Sequence, residues 1–131
     1  MVIRSQTITK VPKRARFNVS IDDMLKEIVD CVVDIADPDT IILFGSRSIG
    51  KQRKGSDYDI LVLKRGIKDK RKLAKKIYVA LDVPAPVDII VEGPKDFEKY
   101  KKKPYFVYHE IARTGRVIYS NASASPLPRI L

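Results

Sequence analysis

Gly45-Ser46-Arg47, followed after a loop by Asp57-Tyr58-Asp59-Ile60-Leu61-Val62-Leu63, is the stretch that decides the fold. It lies between and upon two short apolar runs, Thr40 to Phe44 and Ile60 to Leu63, which are rich in β-branched and aliphatic residues. Runs of that length bounded by turn residues read as buried strands. Asp57 and Asp59 are two positions apart, so on an extended backbone both side chains leave the same face. Two like charges at the head of a wholly apolar strand repel each other and are costly to desolvate. A divalent cation held by carboxylates, with water and a triphosphate completing its shell, answers that problem, and magnesium is the usual choice.

Working outward, Asp88 stands in a third apolar run, Val87 to Val91. If this run pairs beside the Asp57–Asp59 strand, its carboxylate joins the other two around one or two metal ions, the arrangement that serves phosphoryl chemistry. The Gly45-Ser46 turn ends its strand where a short helix, Ser46 to Gly50, is expected. Its backbone N–H groups, the Ser46 hydroxyl and the helix start suit a phosphate. Arg47, with Lys51, Arg53 and Lys54 in the following loop, can balance triphosphate charge, and Ser56 closes that loop as a further candidate ligand.

A hydrophobic strand ending in Gly-Ser, a spacer, then Asp-x-Asp on the next strand resembles the nucleotidyltransferases related to DNA polymerase β. The closest resemblance is to their minimal bacterial and archaeal branch. Ten residues separate Ser46 from Asp57, as is typical of the small nucleotidyltransferases (MNT) encoded beside HEPN-domain toxins. The likeness runs from about Thr40 to Tyr119 and includes the segment His109 to Tyr119. It implies that Asp57 and Asp59 are metal ligands, and that Asp88 is the third carboxylate, acting as general base or ligand. Gly45 and Ser46 would hold the nucleotide phosphates. Asp-x-Asp by itself is a weak signal; joined to the Gly-Ser turn, the spacer and a third strand aspartate it is a specific one.

Composition narrows the setting. The chain has 131 residues, 44% of them hydrophobic, enough for one domain with a single core. No stretch approaches the ~20 apolar residues of a membrane span, and the first residues lack the plan of a secretory signal. The single cysteine, Cys31, forms no internal disulfide and lies on an apolar helical face, so a cytoplasmic setting is expected. The net charge of +10 favours anionic partners. Basic residues cluster at Lys64 to Lys76 and at Lys99 to Lys103. Aromatics near the second cluster (Tyr100, Tyr105, Phe106, Tyr108) suit base stacking, but their spacing reads more economically as a core-facing helix stripe. Nucleic acid is therefore not the favoured partner.

The order of elements gives an α/β, more strictly α+β, domain: a small mixed sheet with helices mainly on one face. A basic segment, residues 1–19, carries a candidate strand at Val2 to Ile8. The nucleotidyltransferase domain spans 20–119, and 120–131 is expected to be a flexible tail. Within the domain, Ser20 and Asp23 approximate a capping box for a helix to Ala36, which Pro38 ends. Strands follow at Thr40–Phe44 and Tyr58–Leu63, then a basic helix from about Lys68 to Leu81 and the Asp88 strand. A short helix starts at Lys95, another has Pro104 in its first turn and runs to Arg113, Gly115 caps it, and Arg116–Tyr119 is a last strand.

The resemblance implies magnesium-dependent transfer of AMP from ATP to a hydroxyl of a partner protein, a tyrosine on a HEPN-type ribonuclease toxin, with this chain as antitoxin. The acceptor site would come from that partner or from a homodimer mate. The toxins carry an arginine–histidine motif; His109 is the one histidine here and has no suitably spaced arginine before it, so the chain reads as the antitoxin. Alternatives are a non-catalytic binding antitoxin, and a transferase acting on RNA or on small molecules of the aminoglycoside type.

Overall fold

The computed structural model describes residues 22–121. The basic N-terminal segment with its candidate strand, the Ser20 cap, and the tail beyond Asn121 lie outside the described residues. Helix α1 (Asp23–Ala36) leads to β1 (Thr40–Phe44), a 3-10 turn (Ser46–Ser48) and β2 (Tyr58–Leu63). Helix α2 (Lys70–Ala80), β3 (Val87–Glu92), α3 (Pro94–Tyr100), α4 (Val107–Thr114) and β4 (Arg116–Ser120) follow. The sheet order is β3-β2-β1-β4. It is mixed, because β1 runs antiparallel to β2 and to β4 while β2 and β3 are parallel, joined by the α2 crossover.

Both faces of the sheet are apolar, as the unbroken hydrophobic runs require. The longer helices α1 and α2 cover one face, where Leu25, Ile28, Val32 and Ile77 pack over Ile41, Ile60, Val62 and Ile89. The short helices α3 and α4 close part of the other face, where Phe97 and Ile111 meet Ile42, Leu61 and Leu63. Asp59 shares this second face with Leu61 and Leu63, since side chains alternate along β2. Cys31 is buried in α1, consistent with a small core residue.

Several boundaries differ from the sequence reading, each for a local reason. Helix α1 begins at Asp23 because Asp22 is the cap, its carboxylate accepting from the Leu25 N–H at 2.7 Å. Helix α2 begins at Lys70 because Asp69 caps it in the same way, through Lys72 N–H at 3.0 Å. Beyond Gly45 there is one 3-10 turn rather than a helix, too short to carry a useful dipole. Pro104 does not enter α4. Successive turns, Lys103 N–H to Tyr100 O and Phe106 N–H to Lys103 O, carry the chain outward before Val107. Tyr105 and Phe106 are consequently exposed, against the expectation of a core-facing stripe. Gly115 does cap α4, but with φ −69° it is not left-handed. It is needed for space, since a Cβ there would lie 2.5 Å from the Ile111 carbonyl and 2.8 Å from the Ile42 side chain.

Candidate active site

The register of the sheet assembles the carboxylates. Asp59 is the partner of Phe44 on β1 and of Asp88 on β3. Neighbours across parallel strands project from the same face about 5 Å apart, and Asp57 precedes Asp59 by two residues on that face. Carboxylate oxygens of Asp57, Asp59 and Asp88 accordingly lie within 4.8 Å of one another, with Asp57 and Asp88 exposed and Asp59 half-buried. Such crowding disfavours a third negative charge. Burial, a hydrogen bond with Asp88 and the charges of Asp88 and Asp57 together push the Asp59 carboxyl up to about 6. A set of hard oxygen donors at this separation, short of positive charge, fits a divalent cation such as magnesium.

Gly45 is built into the same place. Its φ of +77° is in the left-handed region, and a Cβ would collide with the Asp59 carboxylate. The chain therefore passes directly over Asp59 before turning through Ser46. The Ser46 carbonyl accepts from Ile49 and Lys51 N–H, and Ser48 Oγ donates to the Gly45 carbonyl at 2.8 Å. This tight turn holds Gly45 against the Asp59 carboxylate, with Ser46 next along the chain.

Arg47 and Ser56 meet each other rather than open solvent. The Arg47 guanidinium donates through Nε (3.2 Å) and Nη2 (2.9 Å) to the Ser56 carbonyl. Its centre also stacks 3.8 Å from the Tyr58 ring. The Ser56 hydroxyl accepts from Arg53 N–H at 2.7 Å, and the Tyr58 hydroxyl donates to Asp22 at 3.1 Å. Arg47 thus ties the Gly45–Ser46 turn to the loop that delivers Asp57. Lys51, Arg53 and Lys54 are exposed on that loop.

One network was missed by the sequence reading. Glu92, buried at the end of β3, accepts from Lys70 Nζ (2.6 Å), Tyr108 Oη (2.8 Å) and the Gly93 N–H (3.0 Å). Burial would raise its carboxyl, but these three donors outweigh burial and hold it below its ordinary value. Glu92 lies four residues along β3 from Asp88, about 13 Å at strand rise, so it fastens α2 and α4 to the sheet and takes no part in the carboxylate cluster. The available signal was its polar side chain closing an otherwise apolar run in phase with Asp88.

A strand-borne trio of carboxylates under a glycine turn offers the oxygen donors that a divalent cation takes. A sequence profile of the polymerase beta nucleotidyltransferase family matches residues 26–124, and the chain belongs to that family. Among solved structures, a Sulfolobus solfataricus protein described as a candidate nucleotidyltransferase is 22% identical, with 80% of this chain and 85% of that one covered and a TM-score of 0.53. That likeness concerns the fold. A toxin–antitoxin structure with AMP-PNP is 27% identical over 72% of this chain and 71% of that one, with a TM-score of 0.49. A mutant of the toxin–antitoxin pair MntA–HpeT is 24% identical over 72% of each chain, with a TM-score of 0.48. No curated protein matches the sequence significantly. Among the described residues, no helix is long and apolar enough to cross a membrane.

Proposed function

We propose that this nucleotidyltransferase moves AMP from ATP to a hydroxyl, a tyrosine on a partner protein, and serves as the antitoxin of a HEPN-type ribonuclease toxin. The observation that carries the chemistry is the convergence of Asp57, Asp59 and Asp88 beneath Gly45. The MNT-like ten-residue spacing from Ser46 to Asp57 supports the choice of branch. Asp57, Asp59 and Asp88 would hold magnesium, which supplies charge neutralisation on the triphosphate and on the leaving pyrophosphate. Gly45 and Ser46 would take the phosphates through backbone N–H groups and the Ser46 hydroxyl, while Arg47, held on the Ser56 carbonyl, would keep that turn fixed against the Asp57 loop. The acceptor oxygen bonds to the α-phosphorus, the bond from that phosphorus to the bridging oxygen breaks, and pyrophosphate carries away the electron pair. Asp88, the exposed carboxylate on β3, would take the acceptor's proton.

The exposure of Asp57 and Asp88 favours an acceptor delivered by docking. A free small alcohol has nothing to orient it, and orientation supplies much of the rate. The test is transfer of label from α-phosphate-labelled ATP, with magnesium, to a co-expressed HEPN-type protein. Label on a tyrosine of that protein, lost in Asp57→Asn and Asp88→Asn variants, is the expected result. Efficient labelling of RNA ends or an aminoglycoside, with none on protein, would overturn the choice of acceptor.

A further inference from the structure

Outside the carboxylate site, the segment from α3 into α4 presents aromatic rings to solvent in the middle of a basic surface. Tyr105 is 79% exposed and Phe106 37% exposed. The rings are mutually supported. Tyr100 and Phe106 stack at 5.1 Å between centroids with 29° between planes, and Tyr105 meets Phe106 edge-on at 5.3 Å. Lys99 Nζ sits 5.4 Å from the Tyr100 ring centre. The shelf is anchored from below, since Tyr100 also contacts Tyr108, whose hydroxyl is held by Glu92.

The surrounding charge is unbalanced. The acidic residues of α3 and α4 are already engaged: Asp96 with Lys70, Glu98 with Lys101, and Glu110 with Arg113. None of Lys95, Lys99, Lys102 and Lys103 has an ion-pair partner among the described residues. Lysine is depleted from the cores of protein–protein interfaces. Exposed rings interleaved with unpaired cations are instead the combination that grips unstacked bases and a phosphate backbone.

We infer that the Tyr100–Tyr105–Phe106 shelf and its lysines bind single-stranded nucleic acid, with bases stacked on the rings and phosphates on Lys99, Lys102 and Lys103. The shelf is at the Glu92 end of the sheet, away from Asp88, and its role does not depend on the transferase reading. Protruding rings reach only bases that are not already stacked in a duplex, so strandedness is part of the claim.

The experiment is fluorescence anisotropy with the full chain and labelled single-stranded RNA and DNA of about 12 nucleotides, in chelator so that the carboxylate cluster holds no metal. Binding is expected at roughly micromolar to 100 μM Kd in low salt, with log K falling against log salt at a slope of about −2 to −3. Tyr105→Ala should weaken binding roughly five-fold or more. Lys102→Gln should reduce the slope by about 0.7. Because Tyr105 is largely exposed, its variant tests binding without removing core. Arg71→Gln/Lys75→Gln on α2 serves as the control for generic charge. Equal affinity for a duplex would overturn the inference. So would indifference to Tyr105→Ala, or a loss in the α2 variant as large as in the shelf variants. Exclusion of oligonucleotide by a protein partner seated on Tyr105 would reassign the shelf as a protein interface.

Discussion

Replacing Asp59 by Asn should stabilise the metal-free protein while removing one carboxylate of the proposed metal site. In the folded chain the Asp59 carboxyl holds its proton to about 6, whereas the ordinary value is 3.8. Between those values the folded state binds more protons than the unfolded state, so stability falls as pH rises through that window. At pH 7 the full difference would be worth at most about 3 kcal/mol. The side chain is only half-buried, and solvent screening reduces this to about 1 to 1.5 kcal/mol. Asn is close in shape and carries no charge, so the variant escapes the penalty. For a chain of this size the gain corresponds to about 3 to 7 °C in Tm. The assay is thermal unfolding followed by circular dichroism, in chelator, from pH 4 to pH 8. The variant should melt higher at pH 7.5 and converge with the wild type toward pH 4. Adding magnesium should raise the wild-type Tm and leave the variant's unchanged, by linkage to a ligand only the wild type holds. A lower Tm for the variant at every pH would refute the reasoning, because Asp59 would then be a structural partner.

Gly45→Ala forces a side chain into a left-handed position against the Asp59 carboxylate; a loss of about 2 kcal/mol by urea unfolding is expected, with nucleotide binding lost in calorimetry. Tyr108→Phe removes one donor from buried Glu92 and should cost about 1.5 kcal/mol by the same assay, with transfer activity retained. That cost should be full above pH 5 and shrink in acid, since a carboxyl held below its ordinary value stabilises the fold only while ionised. Phe97→Ala empties the centre of the smaller core cluster and should cost about 3 to 5 kcal/mol in urea unfolding.

The strands were legible in the sequence because each is a short apolar run that buries both faces. The carboxylate site was legible because strand alternation fixes which side Asp57 and Asp59 share, and one pairing assumption brings in Asp88. What escaped depended on long-range partners. Nothing local announces that Arg47 turns back onto Ser56 and Tyr58, or that Glu92 gathers Lys70 and Tyr108 from two helices. Helix starts were misplaced by two residues where an aspartate cap outcompeted the periodic pattern, at Asp22 and Asp69. The aromatic shelf was misread because helical spacing was extended across Pro104, where the backbone turns outward and carries Tyr105 with it.

Calorimetric titration of ATP into the protein, with magnesium and then with chelator, tests the central claim most directly. With magnesium, binding in the micromolar-to-millimolar range is expected, weakened roughly tenfold or more by chelator and abolished in the Asp57→Asn and Asp59→Asn variants. Equal affinity with and without metal, or unaltered binding in both variants, would contradict a metal-dependent nucleotide site built on Asp57, Asp59 and Asp88.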